Sequence, residues 1–520
     1  MASGNDPAEG SNPSNTRSTI AKNAAYNLIG QVLLLGLGLL SAHFVLRGLG
    51  HDAFGLILFA ATFTAVLSGV FELGVIATTV RAIAVHANDS NYLAGYVRTS
   101  SCLYWGTYVV LVAIGYLLAP TIVSNWVHLT DMSAPVAVDG LRLLLIGSFT
   151  VLPRNLYASL FRGFQRTEFT TVIEIATSTI QQIGTVAILV RGGGLLAVAA
   201  WMLLICAVAL TAYVAALSRL LPPLALLPGF SRRIVRDHWK FAANASSNSV
   251  LMMLFVQSDK LAVSKLMALS SFGYYSFVWT SVWRIASLTT VVSQAALPSL
   301  ASLFQSRETL RLRSEYERFH HLVCYGAAVP IAATAFVALP TLSYLFSEGV
   351  AYTLLVPIAL LGLASYMYAT VTMPMALATA TGHPELMTKV NLFAAFTFLP
   401  TLVLLVASWG LIGAGVAWLA YYGLVYVYFV PRVCRLCLGT APRRWYGDIA
   451  RVYLKLFGTY GAAWIICFTT SKGNSWVWCL GFACATFVFL VLVVPRLNKL
   501  GGHETLETEP EQRIMRTTEE

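Results

Sequence analysis

The stretch LRGLGHDAFGLILFA (residues 46–60) joins two long apolar runs through a short turn of glycine and polar residues. Downstream, residues 264–280 have the sequence SKLMALSSFGYYSFVWT and repeat this order of turn, Phe-Gly pair and apolar run. The glycines of the two Phe-Gly pairs are Gly55 and Gly273. The repeated order indicates that the chain contains two copies of one unit.

Two further pairs of glycines recur at nearly the same separation as Gly55 and Gly273, each in an equivalent turn between apolar runs. They are Gly163 with Gly382, and Gly194 with Gly410. Three pairs at nearly one spacing predict a duplicated unit of six helices. Because six is an even number, both copies have the same orientation, and the repeat is parallel about an axis along the membrane normal.

The composition is typical of a chain embedded in a membrane. Of the 520 residues, 57% are hydrophobic and 11% are charged, with a mean hydropathy of +0.70, whereas a soluble domain has about 25% charged residues. A hydrocarbon core about 30 Å thick requires roughly 20 apolar residues per helix. We therefore predict an all-α polytopic membrane protein with fourteen transmembrane helices, at residues 24–47, 53–76, 95–119, 139–161, 169–190, 195–217, 241–263, 272–299, 320–346, 351–379, 388–408, 411–432, 449–469 and 476–496.

The predicted spans divide into two lobes and an extension. A long basic connection containing LPPLALLPGFSRR separates the lobes. Both ends of the chain are polar, so they are expected to be disordered tails, and the first lacks the apolar region of a signal peptide. The predicted organisation is a tail at 1–22, an N-terminal six-helix lobe at 23–217, a linker at 218–240, a C-terminal six-helix lobe at 241–433, two additional helices at 434–500 and a tail at 501–520.

The distribution of basic residues predicts the orientation. In the loops, tails and span ends, 25 Lys and Arg residues lie on the side of both tails and four lie on the other side: Arg47, Arg191, Lys265 and Lys472. The other five lie within the spans. By the positive-inside rule both termini are cytoplasmic. The net charge of +11 is therefore explained by topology, with contact to anionic lipid head groups as a secondary use, and it does not indicate a nucleic-acid partner.

Several segments together resemble the polysaccharide-exporting branch of the MOP (multidrug/oligosaccharidyl-lipid/polysaccharide) exporter superfamily, the O-antigen-type flippases. They are NLIGQ, LRGLGHDAFGLILFA and FELGVIATTVRAIA in the first lobe, and VQSDKLAVSKLMALSSFGYYSFV and ALPSLASLF in the second. The resemblance implies a two-lobed MOP-type fold that moves undecaprenyl-pyrophosphate-linked oligosaccharides from the cytoplasmic to the periplasmic leaflet of the bacterial inner membrane by alternating access. Besides this substrate and membrane lipids, a polysaccharide polymerase and a chain-length regulator are candidate partners.

The predicted eighth span carries a polar stripe. Thr280, Arg284 and Gln294 lie on one face of the helix. A charge at the bilayer centre costs about 2.5 to 3.5 kcal/mol on insertion scales, so it needs a partner or a wet cavity. Arg284 is the first candidate for binding a pyrophosphate, because a guanidinium offers a bidentate fork. The alternative is a structural pair with a carboxylate such as Asp259 or Glu72.

Arg154 is the second candidate for the substrate cation. It lies in mid-span beside Pro153, where a charge is costly, and we expect it to line a cavity with Glu174 of the next span as its partner. Asn248, on the same face of the seventh span as Asp259, completes the predicted substrate-binding residues.

Four residues are candidates for ion coupling or for charge pairing. Asp259 could neutralise Arg284, bind a coupling cation or lie near the outer interface, and Glu72 could serve as a coupling carboxylate or pair near the cytoplasmic end. Glu174 belongs to this group as the expected partner of an arginine. His43 could relay a proton, although a single histidine within a span is more often part of the hydrogen-bonded structure.

Two other classes of function compete with the flippase. A cation-coupled small-molecule or multidrug exporter of the same superfamily is the alternative, but arginines in the cavity would repel the cationic drugs that such exporters favour. A membrane enzyme is disfavoured, because the sequence has no phosphate loop, HExxH or nucleophile elbow, and no catalytic residue is predicted. Neither a cofactor nor a metal is expected, since Cys434-x-x-Cys437 lacks the second ligand pair of a structural zinc site.

The topology can be tested with reporter fusions. Because the basic residues favour the tail side so strongly, fusions at residue 10 and at residue 510 should both report a cytoplasmic location. A periplasmic signal from either fusion would overturn the predicted orientation.

Overall fold

A computed structural model describes residues 36–71, 75–86, 89–222, 227–470 and 475–501, and almost all of them are helical. The helices are α1 Gly36–Leu49, α2 His51–Phe71, α3 Val75–Val85, α4 Ser90–Asn125, α5 Ala134–Ser148, α6 Val151–Gly163, α7 Thr167–Val190, α8 Leu195–Leu217, α9 Arg232–Leu266, α10 Leu269–Ala286, α11 Leu288–Gln305, α12 Thr309–Phe336, α13 Ala338–Leu345, α14 Glu348–Ala380, α15 Glu385–Leu424, α16 Val430–Cys437, α17 Arg443–Leu456, α18 Ala462–Thr470 and α19 Ser475–Gly501. Two π-helical turns, Val425–Phe429 and Phe457–Gly461, continue α15 into α16 and α17 into α18.

The predicted all-helical polytopic architecture is confirmed, but the number of fourteen spans is not. Within the described residues, eleven helical stretches are long and apolar enough to cross a membrane. Three features account for the difference. The first predicted span is described only from Gly36, the seventh lies in the more polar α9, and the eleventh and twelfth lie together in α15 and its continuation.

A sharp turn at Gly410 divides α15 into two antiparallel halves. Gly410 has φ 58° and ψ −133°, a conformation outside the helical region. The halves face each other, since the Tyr421 hydroxyl donates to Asn391 Oδ1 at 2.8 Å and the rings of Phe398 and Trp418 are 5.2 Å apart. The eleventh and twelfth predicted spans are therefore present as a helical hairpin.

A second hairpin joins α7 and α8. Its turn contains Gly192, with φ 79°. The indole N–H of Trp201 donates to the carbonyl oxygen of Gln181 at 3.1 Å, across the two helices. Gly192 and Gly410, which both have positive φ, are separated by the same interval as Gly55 and Gly273. These left-handed turn glycines therefore keep the repeat spacing more closely than the pair Gly194 and Gly410 chosen from the sequence.

The ends of α6 and α14 share one hydrogen-bond pattern. After α6, the N–H of Arg166 donates to the Phe161 carbonyl at 2.8 Å, and after α14 the N–H of His383 donates to the Ala378 carbonyl at 2.7 Å. This six-to-one bond is the mark of a Schellman motif, which needs a left-handed residue just beyond the helix. That residue is Gly382 (φ 81°) after α14 but Gln165 (φ 58°) after α6, so Gly163 is not the conformational counterpart of Gly382.

The contacts divide the chain into two compact units. One, called the N unit, runs to Asn125 and resumes from Asp131 to Met253, and the other, called the C unit, contains Trp126–Thr130 and resumes at Leu254. The division falls inside α9, beyond the linker at 218–240 that the sequence suggested as the boundary.

The first part of α9 belongs to the N unit because it packs against α4. The hydroxyl of Tyr92 lies 2.8 Å from Nε2 of His238, and the side chain of Ile234 packs against Gly95. Burial lowers the pKa of His238 below its ordinary value, with Asp237 opposing this shift. The neutral ring can therefore accept the hydrogen bond from Tyr92.

The turn at Gly410 can be tested by substitution. Gly410→Ala places a side chain in a backbone region that is almost restricted to glycine, and such strain costs about 1 to 3 kcal/mol. We expect a lower melting temperature of the purified protein in detergent. Gly423→Ala is the matched control, since Gly423 lies in the helical part of α15 with open space around it, and an unchanged melting temperature for Gly410→Ala would contradict the assigned role of the turn.

Candidate functional site

A cavity of about 500 Å³ with a mixed polar and apolar lining lies within the N unit, among α2, α5, α6, α7, α8 and the first part of α9. This volume is within the range of about 300 to 1,000 Å³ that is typical of ligand pockets. We call it the N-unit cavity. Its polar lining residues are Thr64, Ser68, Ser148, Thr150, Arg154, Asn155, Gln181 and Cys206.

Arg154 is the cation of this cavity. It lies in the first turn of α6, directly after the break at Phe149–Thr150 that separates α6 from α5. Its side chain is half-buried and lies close enough to Cys206 and Tyr213 for its charge to act on both. The prediction that Arg154 faces a cavity agrees with this position.

The predicted ion pair between Arg154 and Glu174 is absent from the described part of the chain, where the ion pairs involve neither residue. Glu174 is exposed on α7, and its Oε1 accepts a hydrogen bond from the Tyr213 hydroxyl at 3.3 Å. Glu174 does not line the N-unit cavity. The sequence shows that Arg154 and Glu174 lie on neighbouring helices, but it does not show that the Glu174 carboxylate meets the Tyr213 hydroxyl.

Thr64 and Gln181 also line this cavity. The Thr64 hydroxyl is buried, with the residue 4% exposed, and it finds no hydrogen-bond partner among the described residues. The backbone oxygen of Gln181 accepts from both Trp201 (3.1 Å) and Thr185 (2.8 Å). These two bonds hold the backbone of α7 in place at Gln181.

The polar stripe on α10 and α11 belongs to the C unit. Thr280, Arg284 and Gln294 are all exposed, which agrees with a stripe that faces away from the packed interior. No ion pair of Arg284 occurs within the ranges that the structure describes. Glu72 and the side chain of Asn248 lie outside the described residues.

Asp259 is held by a buried network of its own. The residue is fully buried. Its Oδ2 accepts the Tyr275 hydroxyl at 2.6 Å and the Trp418 indole N–H at 2.8 Å, and its Oδ1 accepts the N–H of Lys260 at 2.7 Å. Since Arg284 is exposed and these donors occupy the carboxylate, the suggested pair between Asp259 and Arg284 is wrong.

Lys260 is also buried, and it is stabilised by different groups. Its Nζ lies 3.6 Å from the centroid of the Trp279 ring and donates to Gln257 Oε1 at 3.1 Å. Cation–π contacts of this kind contribute about 0.5 to 2 kcal/mol, most where water is excluded. These partners were not predicted from the sequence: Tyr275 and Trp418 for Asp259, and Trp279 for Lys260.

One signal for Trp418 was present in the repeat. Trp201 and Trp418 occupy matching places in the segments GGGLLAVAAWM and WGLIGAGVAWL. In the structure both indole N–H groups donate to another helix. Trp201 donates to the Gln181 carbonyl across the α7–α8 hairpin, and Trp418 donates from α15 to Asp259 on α9. A tryptophan retained at a repeated position inside the membrane indicates a fixed hydrogen bond, since its N–H needs a partner when it is buried.

His43 and the cysteines take no part in the N-unit cavity, apart from Cys206. His43 is buried in α1, edge-on to Phe44 with the ring centroids 5.9 Å apart. Across the described chain, no group of three or more His, Cys, Asp or Glu residues is placed to hold a metal ion. Cys437 instead accepts a hydrogen bond from Thr381 at 3.1 Å.

Residues 45–349 match the family model described as "Polysaccharide biosynthesis protein". The chain belongs to this family. A Shigella flexneri protein with the name "Putative O-antigen transporter" is 20% identical over 407 residues, which cover 77% of this chain and 94% of that protein. The branch-level resemblance inferred from the sequence is thereby confirmed.

Solved structures show the same fold. The inward closed conformation of the lipid II flippase MurJ matches with a TM-score of 0.70 and 11% identity, covering 91% of this chain and 98% of that chain. An inward-facing multidrug resistance MATE transporter of the MOP superfamily matches with a TM-score of 0.60 and 18% identity, covering 78% and 94%. This chain therefore has a MOP-type fold.

The network around Asp259 yields a stability prediction. Trp418→Phe keeps the aromatic packing but removes a hydrogen bond to a charged group, which costs about 1.5 to 3 kcal/mol. The melting temperature in detergent should fall clearly. Trp409→Phe, at a position 58% exposed, is the matched control and should leave the melting temperature unchanged. Equal melting temperatures for both variants would show that the hydrogen bond from the Trp418 indole contributes nothing to stability.

Proposed function

We propose that this protein is a flippase for undecaprenyl-pyrophosphate-linked oligosaccharide repeat units, the precursors of O-antigen or exopolysaccharide. It moves them from the cytoplasmic to the periplasmic leaflet of the bacterial inner membrane, with both termini cytoplasmic, by alternating access and without covalent chemistry. The family, the transporter relative and the MOP-type fold support this proposal. A polysaccharide polymerase and a chain-length regulator would act beside it.

The observation that carries the proposal is the position of Arg154. A guanidinium lines a partly polar cavity inside an apolar helical unit, with no carboxylate paired to it among the described residues. A charge placed at that depth is costly, and an anionic ligand would offset the cost. Arginine binds phosphate oxygens through two parallel hydrogen bonds, so a pyrophosphate fits this group well.

The remaining lining residues fit the neutral part of such a ligand. Thr64 presents a buried hydroxyl that lacks a described partner, and Gln181 and Asn155 offer amide groups to the same space. Hydroxyls of a sugar can exchange hydrogen bonds with these groups, because each of them can both donate and accept. The lining therefore combines one cation with several neutral polar groups.

Arg284 remains a second cation of the proposed path, in the C unit. It is exposed and shares its stripe with Thr280 and Gln294, so it can meet a ligand without a further change of its surroundings. Asn248 and the coupling candidates Glu72, Asp259, Glu174 and His43 belong to the same proposal. Of these, Asp259 is the least suited to bind a cation, since its oxygens are engaged by three protein donors.

The alternative, a cation-coupled multidrug exporter, has weaker support. The similarity to a MATE transporter, at 18% identity, concerns the fold. A cavity whose charged lining residue is an arginine repels cationic drugs and attracts anions. The electrostatics of the N-unit cavity therefore favour an anionic cargo.

Substitution of Arg154 tests the proposed site. Loss of a charge-assisted hydrogen bond worth about 1.5 to 3 kcal/mol should reduce translocation at least tenfold in Arg154→Ala. A simple charge requirement would let Arg154→Lys keep most of the activity, whereas a bidentate fork would not. The measurement is the appearance of lipid-linked oligosaccharide in the periplasmic leaflet of a host whose own copy has been deleted.

The controls separate a binding defect from a folding defect. Arg162→Ala removes an exposed arginine at the end of the same helix and should transport normally. Membrane level and melting temperature of each variant are measured in parallel. If Arg154→Ala is folded and transports like the parent protein, the site is wrong and Arg284→Ala becomes the decisive variant.

A further inference from the structure

A second cavity, of about 390 Å³, lies in the C unit and differs in character from the N-unit cavity. It is a groove between α9 and the first half of α15, and we call it the α9–α15 groove. Seven of its ten lining residues are aliphatic. The lining residues are Trp126, Leu254, Ser258, Leu261, Ala262, Lys265, Leu266, Leu399, Leu402 and Val403.

The groove has a closed floor and open walls. Ser258 and Leu402 are buried, and the Ser258 hydroxyl donates to the Phe255 carbonyl at 2.7 Å, so the floor presents little polarity. The walls are exposed, with Leu254 at 40% and Val403 at 46%. Small side chains at Ser258 and Ala262, one helical turn apart, leave the space that a larger pair would fill.

The length of the groove matches one leaflet of a bilayer. From Leu254 to Leu266 α9 advances about 18 Å at roughly 1.5 Å per residue. Half of a hydrocarbon core is about 15 Å. A hydrocarbon chain that enters from a leaflet surface can therefore lie along the whole groove.

Only one end of the groove carries a charge. Lys265 and Trp126 both line it there, with the Lys265 Nζ 5.5 Å from the Trp126 ring centroid. The Trp126 indole N–H donates to Ser264 Oγ at 3.0 Å, which fixes the ring. Lysine beside tryptophan is the pairing found at the level of lipid head groups, where an apolar body and a polar tip are both satisfied.

We propose that the α9–α15 groove binds one anionic phospholipid, with an acyl chain along α9 and its phosphate at Lys265. Charge complementarity selects an anionic head group, and the matching length selects a chain of a single leaflet. The groove shares no lining residue with the N-unit cavity and takes no part in the proposed binding of the oligosaccharide. This inference therefore stands or falls independently of the proposed function.

Site-specific crosslinking in the full-length protein tests whether an acyl chain lies in the groove. A photoreactive benzoylphenylalanine at Leu399, inside the groove, should capture phosphatidylglycerol in nanodiscs several-fold more than one at Leu404. Leu404 lies five residues further along α15 and is 67% exposed outside the groove. Equal capture at both positions would mean ordinary boundary lipid and would overturn the proposal.

Retention of lipid after purification tests the head group and the volume. Native mass spectrometry should show that the parent protein keeps phosphatidylglycerol in preference to phosphatidylcholine. Lys265→Gln should lower this preference about fivefold, the effect of one basic residue near a charged surface, and Ala262→Phe should remove the bound lipid. Arg191→Gln and Ala200→Phe, at exposed positions of α7–α8, should do neither.

Each result decides the matter. No preference for phosphatidylglycerol in the parent protein, or full retention by a correctly folded Ala262→Phe variant, would overturn the proposal. If Ala262→Phe fails to fold, the two phospholipids can compete for the crosslinker at Leu399 in the otherwise unchanged chain. Equal capture of both would contradict the proposal, and preferential capture of phosphatidylglycerol would support it.

Discussion

A charge inside an apolar helical protein has to be stabilised by something, and this requirement shapes both units of the chain. Water is absent from the hydrocarbon core, so each polar group there needs a partner within the protein or a ligand. Asp259 illustrates the first solution, with three donors around one fully buried carboxylate. Arg154 is a candidate for the second, since it lines a cavity and has no paired carboxylate in the described residues.

The two solutions imply different functions for residues that look alike in the sequence. Charged residues that have protein partners connect helices of the C unit. Asp259 links α9 to α15 through Trp418, and Lys260 links α9 to α10 through Trp279. The half-buried Arg154 carries a charge that an anion would stabilise. In the function proposed for this member of the polysaccharide biosynthesis family, that anion is the pyrophosphate of the cargo.

The helices could be predicted from the sequence better than the hydrogen-bond partners. Helical periodicity shows which residues share a face, so the exposed stripe of Thr280, Arg284 and Gln294 could be predicted. Hydrogen-bond partners are a different matter, because Asp259 and Trp418 are 159 residues apart and periodicity contains no such information. For the same reason Glu174 was assigned to Arg154, whereas Tyr213 on α8 binds it. Turn conformation was equally hidden, since Gln165 adopts the left-handed geometry for which glycine is the usual signal.

The hairpin at Gly410 limits how this chain can change its length during evolution. The two halves of α15 meet with almost no loop between them, so an inserted residue has nowhere to bulge. One extra residue in a helix rotates everything after it by about 100°. Such a rotation would carry Trp418 away from Asp259 and leave a buried carboxylate short of a donor. Insertions and deletions should therefore be selected against at this turn, while changes in length are tolerated at connections whose neighbouring helices do not share a buried charge.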